Sequence, residues 1–116
     1  MQEREMDASD SQAVIVTTTA DSKELLAEIA SNLVRNELAA CCQISGPVTS
    51  VYRWQGNIDR STEWLCTIKS MPALVDQVVT MIKTMHSYDE PEIIVTPVIG
   101  GSISYLQWIE DSVRTN

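Results

Sequence analysis

Two long strand-like runs flank a tight turn in the middle of the chain. VTSVYRW (48–54) leads into residues 55–57, where Gly can take a positive φ, and IDRSTEWLCTIK (58–69) returns with alternating apolar positions. LAACCQIS (38–45) reads as a strand that Gly-Pro (46–47) interrupts, because Pro cannot donate to a ladder and the dipeptide favours a bend or bulge. The sequence therefore predicts a hairpin that is longer than the rest of its sheet.

One strand and one helix are predicted before the hairpin. AVIVTTT (13–19) has the β-branched composition of a buried central strand. Asp21 can cap a following helix, with Glu24 three residues later completing a capping box. Apolar positions at helical spacing then predict a helix that ends near Glu37.

A second helix, a strand and a short third helix are predicted after the hairpin. Ser70 can cap an amphipathic helix over 71–85. EIIVTPVIG (92–100) reads as a strand that its proline places at an edge or an end, and Ser102 or Ser104 can cap the C-terminal helix.

The element order is therefore β-α-β-β-α-β with an added C-terminal helix. This order predicts an α+β, ferredoxin-like fold, in which an antiparallel sheet carries the two main helices on one face. Residues 13–116 are expected to form one domain, and the polar residues 1–12 a flexible N-terminal tail. Because the other sheet face and the long hairpin would lack cover, we expect a closed homo-oligomer.

Composition excludes several classes of function. The net charge of −8 over 116 residues repels phosphate backbones and anionic membranes, so neither nucleic acid nor a membrane is an expected partner. No export signal or run of about 18 apolar residues is visible, and three cysteines without a CxxC pattern indicate reduced thiols. A cytoplasmic location is the expectation.

The sequence carries no familiar catalytic motif, so an enzyme is not predicted. The stretch MHSYDEPEIIVTPV (85–98) contains the single histidine, His86, followed by a tyrosine and carboxylates. His86 could be a metal ligand or could simply complement the dipole of a helix C-terminus. Cys41 and Cys42 could be soft-metal ligands or core residues, although neighbours on a strand point to opposite faces.

Five stretches in order resemble the CutA family of divalent-cation tolerance proteins. They are NELAACCQI, SVYRWQGNI, Glu63 followed by TIKS, HSYDEPEIIVTPV and YLQWI, and the resemblance runs over about residues 13 to 113. It implies a ferredoxin-like protomer in a homotrimer whose hairpins pair between neighbours, with a topology similar to PII signalling proteins. It also implies a role in tolerance to copper and other divalent metals, with no established enzymatic activity and no obligatory cofactor.

The resemblance also implies site residues. His86, Tyr88, Pro91 and Glu92 match the family's HxYxxPE pattern, with His86 as the expected ligand of Cu(II) or another divalent cation. Three further residues match positions around the cleft between subunits, so the cleft set is Trp54, Glu63, Lys69, Tyr88 and Glu92.

This chain departs from some relatives at possible ligand positions. Met85 and Thr17 stand where some members have a second histidine and a cysteine. Metal binding would then depend on His86 and carboxylates. The alternative function is that of a PII-like small-molecule sensor or a trimeric interaction scaffold.

Overall fold

The computed structural model describes residues 13–115, which form one antiparallel sheet with helices against it. The elements in chain order are β1 (Val14–Ala20), α1 (Lys23–Arg35), β2 (Cys41–Trp54), β3 (Asn57–Ser70), α2 (Val75–Met85), β4 (Ile93–Pro97) and α3 (Ile103–Ser112). The strand order is β2-β3-β1-β4, with every pairing antiparallel. The predicted α+β, ferredoxin-like class is confirmed, while the predicted tail at 1–12 lies outside the described residues.

The core lies between one sheet face and the helices α1 and α2. Alternating residues of β1 and β3, such as Val16 and Ile68, are fully buried on that face. Leu26, Ile29 and Leu33 of α1 and Val78 and Ile82 of α2 cover them at helical spacing. The opposite sheet face is only partly covered.

Two of the predicted helix caps are wrong. Ser22, not Asp21, caps α1, because the Ser22 hydroxyl accepts a hydrogen bond from the Leu25 N–H at 3.1 Å. Ser70 is the last residue of β3, and its buried hydroxyl donates to the Leu38 carbonyl at 2.6 Å instead of capping α2. Ser102 does cap α3 by accepting from the Tyr105 N–H at 3.4 Å.

The hairpin of β2 and β3 is the longest feature of the sheet, with 14 residues in each strand. The predicted interruption at Gly46-Pro47 is a β-bulge, since the register moves from Ser45 opposite Leu65 to Val48 opposite Glu63 and β2 then continues. At the tip, positive φ angles at Gln55 (49°) and Gly56 (83°) close a two-residue turn.

The hairpin extends beyond the core and gives the described chain an elongated shape. Its extents are 56 × 26 × 21 Å, and the radius of gyration is 15.7 Å, against about 13 Å for a compact domain of 100 residues. The exposed large apolar side chains of the hairpin are Val48, Val51, Tyr52, Trp54 and Ile58.

The C-terminal segment packs at the other end of the sheet. Leu106 and Ile109 of α3 are buried in a small second core with Ala13. The Arg114 N–H then donates to the Glu37 carbonyl, which returns the chain to the end of α1. Within residues 13–115, no helix is long and apolar enough to cross a membrane.

Candidate functional site in the hairpin groove

A groove of about 900 Å³ lies between the hairpin and the segment that joins α2 to β4. Ser50, Tyr52 and Trp54 of β2 line it at every second position, and so do Asp59, Ser61 and Glu63 of β3. The other lining residues are Thr19, Val51, Tyr88, Asp89, Glu90, Pro91 and Glu92. The groove is therefore built from one face of the hairpin and from the HxYxxPE segment.

Glu63 is a buried carboxylate in the wall of this groove. Only 8% of its surface is exposed, and its Oε2 atom accepts a hydrogen bond of 2.8 Å from the Tyr88 hydroxyl. Burial and the neighbouring Glu63 carboxylate raise the pKa of Tyr88 well above its usual range. Tyr88 is thus held as a neutral phenol that donates to Glu63.

His86 holds this segment in place through both of its ring nitrogens. The Tyr88 N–H donates to His86 Nδ1 at 3.0 Å, so Nδ1 carries the lone pair. His86 Nε2 lies 2.7 Å from the Thr19 carbonyl oxygen and must be the protonated nitrogen, since a carbonyl only accepts. The ring is therefore the neutral Nε2–H tautomer, with each nitrogen bonded to the backbone.

This arrangement bears on the metal site predicted at His86. Coordination by either ring nitrogen would require one of these two hydrogen bonds to break. Within residues 13–115, no three His, Cys, Asp or Glu side chains group together as a metal site. Direct binding of Cu(II) by His86 stays a prediction.

The groove lining is strongly acidic. It contains the carboxylates of Asp59, Glu63, Asp89, Glu90 and Glu92, and the described lining includes no Lys or Arg. Like charges in a partly enclosed groove add up to a negative potential that attracts cations. Trp54 and Tyr52 add aromatic surface on the hairpin side.

The structure brings together four of the five predicted cleft residues. Trp54, Glu63, Tyr88 and Glu92 line the groove. Lys69 does not, because it lies six residues from Glu63 along β3, about 20 Å at strand spacing. Its Nζ atom donates instead to Gln43 Oε1 at 2.6 Å.

Sequence reasoning missed several lining residues, among them Asp59, Ser50 and Ser61. Their signal was the alternation of the hairpin, because the register pairs Tyr52 with Asp59 and Ser50 with Ser61 on the same face as Glu63. The predicted turn covered residues 55–57, whereas the structure closes it with Gln55 and Gly56 alone, and this one-residue difference changes which residues face each other. The role of the Thr19 carbonyl as a partner of His86 could not be predicted from the sequence, because every residue has a backbone carbonyl.

Known proteins are similar to this chain in sequence and in structure. Residues 14–112 match the sequence model of a family described as "CutA1 divalent ion tolerance protein". The rice protein "Protein CutA 1, chloroplastic" is 35% identical over 102 residues, which cover 88% of this chain and 58% of the rice protein. The "Divalent-cation tolerance protein CutA" of Thermus thermophilus is 35% identical over 98 residues, 84% of this chain and 95% of that protein.

A solved structure extends the similarity to the fold. The crystal structure of "stable protein, CutA1, from a psychrotrophic bacterium Shewanella sp. SIB1" superposes with a TM-score of 0.87 at 39% identity, covering 90% of this chain and 98% of that one. The family description and the name of the Thermus thermophilus protein give tolerance to divalent ions, and none of these names states a reaction. With a family match over most of its length, this chain belongs to the CutA1 divalent ion tolerance protein family.

Proposed function

We propose that the protein acts in divalent ion tolerance as a homotrimer that binds divalent cations weakly at the hairpin groove, copper foremost among them. The observation that carries the proposal is the charge of the groove, which has carboxylates on both walls and no Lys or Arg in its described lining. Carboxylate oxygens spread along an open groove hold a cation mainly by electrostatic attraction, so the expected affinity is low and falls with salt.

The proposed ligands are the groove carboxylates, with Glu63 at the centre. Its Oε2 atom accepts from Tyr88, and no described residue forms an ion pair with this buried group. A buried carboxylate without a counter-ion is costly, and a bound cation would offset that cost. His86 has the supporting role of fixing Tyr88 against Glu63.

Titration calorimetry with Cu(II) tests this assignment on three variants. Glu63→Gln should weaken binding, because it removes the buried charge and keeps the size of the side chain. Glu28→Gln is the matched control, since it removes the same charge from an exposed position on α1 away from the groove.

His86→Ala separates the two metal sites that the chain could offer. Unchanged Cu(II) affinity in this variant removes His86 from the ligand set. A Glu63→Gln variant that binds as tightly as wild type, beside a His86→Ala variant that does not bind, would refute the carboxylate site.

Self-association is supported by the surfaces that the single chain leaves open. β2 and β4 are the edges of the described sheet, and both carry exposed apolar residues, such as Val51 and Ile94. Unpaired edges and exposed apolar patches favour association with another chain. Three hairpins that pair between neighbours would cover both, and the groove would then lie at a subunit junction.

Light scattering on the eluting peak of a size-exclusion column tests the trimer. We expect a mass three times the 12.9 kDa of the chain. A peak of single-chain mass at micromolar concentration would contradict the proposal.

A second candidate function is that of a PII-like small-molecule sensor. Its support is the size of the groove, about 900 Å³ with Trp54 and Tyr52 in its walls, since an ion needs much less space and small-molecule sites have this scale. A thermal-shift screen of divalent metals against metabolites discriminates, because a ligand of the native state raises the melting temperature. If a metabolite stabilises the protein and no metal does, the metal proposal fails.

The compartment and the absence of catalysis belong to the same proposal. We propose a cytoplasmic, non-enzymatic protein, supported by the unpaired cysteines and by a family name that describes ion tolerance. Because the rice relative is named chloroplastic, fractionation of the native cells is the appropriate test.

A further inference from the structure

The carboxylates of the hairpin groove are spread along it and do not converge on one point. Asp59 and Glu63 face the groove from β3, four residues apart, which is about 13 Å at strand spacing. The other carboxylates of the lining are those of Asp89, Glu90 and Glu92. Among residues 13–115, no three His, Cys, Asp or Glu side chains group together as a site for one ion. A ligand whose charges are spread along a chain can therefore meet more of these carboxylates than a compact ion can.

Glu63 provides a fixed carboxylate with one oxygen left free. Only 8% of the residue is exposed, and Oε2 accepts from the Tyr88 hydroxyl at 2.8 Å. Oε1 has no hydrogen-bond partner among residues 13–115, and it is not sealed in the core, since the fully buried side-chain oxygen without a partner is that of Thr18. Because Glu63 lines the groove, a charged oxygen is open there to an N–H donor.

Asp59 provides a second carboxylate near the tip of the hairpin. Its Oδ1 atom accepts a hydrogen bond of 2.9 Å from the Arg60 N–H, which orients the carboxylate. The side chains of Arg60 and Arg53 point to the opposite face of the hairpin by alternation, and neither lines the groove. The arginines of the hairpin therefore do not neutralise this end of the groove.

Two aromatic side chains lie beside Asp59. Tyr52 is directly opposite Asp59 in the register, and Trp54 is its diagonal neighbour. They are 41% and 59% exposed, so each presents a large open surface. The face of an aromatic ring attracts a cation and also packs against methylene groups. This end of the groove thus suits an organic cation better than a hydrated metal ion.

We propose that the groove binds a linear organic polycation, an aliphatic chain that carries an ammonium group at each end. One ammonium group donates to Oε1 of Glu63, and the other pairs with Asp59 beside Trp54. The methylene chain between them lies over Ser61, which faces the groove between the two carboxylates. Such amines are protonated at neutral pH, as the lysine side chain is. The inference rests on the proposed small-molecule role of the groove and names its class of ligand.

The spacing of the two carboxylates sets the length of the ligand. An extended chain covers about 3.3–3.6 Å per three bonds, so the nine bonds between the terminal nitrogens of diaminooctane cover about 10–11 Å. With a charge-assisted hydrogen bond of about 2.8 Å at each end, this chain spans the distance of about 13 Å. The five bonds of diaminobutane cover about 6 Å, and the same two hydrogen bonds leave it short.

Titration calorimetry of the full chain with these two terminal diamines, which carry equal charge, tests the inference at low salt, where screening is weak. Wild type should bind one diaminooctane per chain, and diaminobutane about 5-fold more weakly, because the shorter chain loses one ion pair. Asp59→Asn should remove most of this preference for length. Asp76→Asn is the matched control, since it changes an exposed carboxylate of α2 outside the groove and should keep the preference.

Replacement of Trp54 tests the aromatic contact. Trp54→Leu should weaken diaminooctane binding about 2- to 30-fold, and Trp54→Phe should recover part of it. Trp108→Leu, at an exposed position of α3 outside the groove, is the matched control. Cu(II) affinity should not change in Trp54→Leu, because the proposed metal ligands are carboxylates. The comparison of the two diamines tests the inference without Trp54 variants, should this substitution change the assembly.

Three results would overturn the inference. The first is equal affinity for the two diamines in wild type, because the groove would then respond to charge alone. The second is Mg(II), of the same charge, displacing diaminooctane at equal concentration. The third is the absence of diamine binding in protein that binds Cu(II), or that a neutral or anionic metabolite stabilises. That result would remove this class of ligand and leave the proposed metal or sensor function standing, whereas a groove that binds none of these ligands would refute both.

Discussion

Replacement of His86 by alanine distinguishes a structural histidine from a metal ligand. The change removes the bonds from Nε2 to the Thr19 carbonyl, at 2.7 Å, and from the Tyr88 N–H to Nδ1, at 3.0 Å. A typical intramolecular hydrogen bond contributes about 0.5–1.5 kcal/mol, so two give an expected loss of about 1–3 kcal/mol. This loss should occur in metal-free protein, because both bonds are to the backbone.

Denaturant unfolding in the presence of a chelator, at fixed chain concentration, measures this loss. Ser87→Ala is the control, since it changes an exposed neighbour in the same segment. A His86→Ala loss below about 0.5 kcal/mol, the range of neutral surface changes, would refute the structural role. If the same variant also lost Cu(II) binding, the ring would be a ligand whose backbone bonds form only without metal.

Three further predictions follow from the groove and the bulge. Tyr88→Phe removes the donor to the buried Glu63 carboxylate, so we expect a loss of about 1–3 kcal/mol in denaturant unfolding; unchanged stability would mean that Glu63 is satisfied elsewhere. Burial and Glu63 raise the pKa of Tyr88 above its unfolded value of about 10, so the unfolded chain loses this proton first as the pH rises. The contribution of the Tyr88 hydrogen bond to the free energy of unfolding is therefore complete below about pH 10 and falls at higher pH. A phenolate absorbance titration should show a late phase that Tyr88→Phe abolishes, and identical titrations would contradict this assignment. Gly46→Ala places a Cβ 2.8 Å from Trp64 Cδ1 at a φ of +140°, with an expected loss of stability of about 2–6 kcal/mol. In the control Gly56→Ala the new Cβ meets no atom within 4 Å, so the expected loss is about 1–2 kcal/mol. Equal losses of stability in the two variants would contradict the close approach of Gly46 to Trp64.

The fold could be predicted from the sequence because its signals are local and agree with one another. The β-branched run of β1, the helical spacing in α1 and the glycine turn each indicate one structure, and their order leaves few topologies. The cap at Asp21 was wrong because the adjacent Ser22 can accept the same kind of capping hydrogen bond, and sequence alone does not decide between neighbours. Ser70 was wrong for a long-range reason, since its hydroxyl donates to Leu38 across the sheet.

The candidate site was predictable only in part. Tyr88 and Glu92 were identified by resemblance. The bond from Tyr88 to Glu63, however, joins residues 25 positions apart in sequence, and such a long-range contact has no local sequence signal. The two hydrogen bonds of His86 are to backbone atoms. Because every residue has these atoms, no residue type in the sequence indicates the partners of His86. Lys69 was assigned to the cleft by resemblance, but the strand separates it from Glu63 by about 20 Å and it does not line the groove.

The length of the hairpin affects how natural sequence variation in this family should be interpreted. Residues near its tip, such as Trp54 and Ile58, are 59% and 63% exposed, so few contacts within their own chain restrict them. Natural selection at these positions should therefore act mainly on contacts with another molecule. Some pairs of positions that covary among relatives should then join a hairpin residue to one that is far from it within one chain. Such pairs would map contacts between chains and could orient the assembly before any complex is solved.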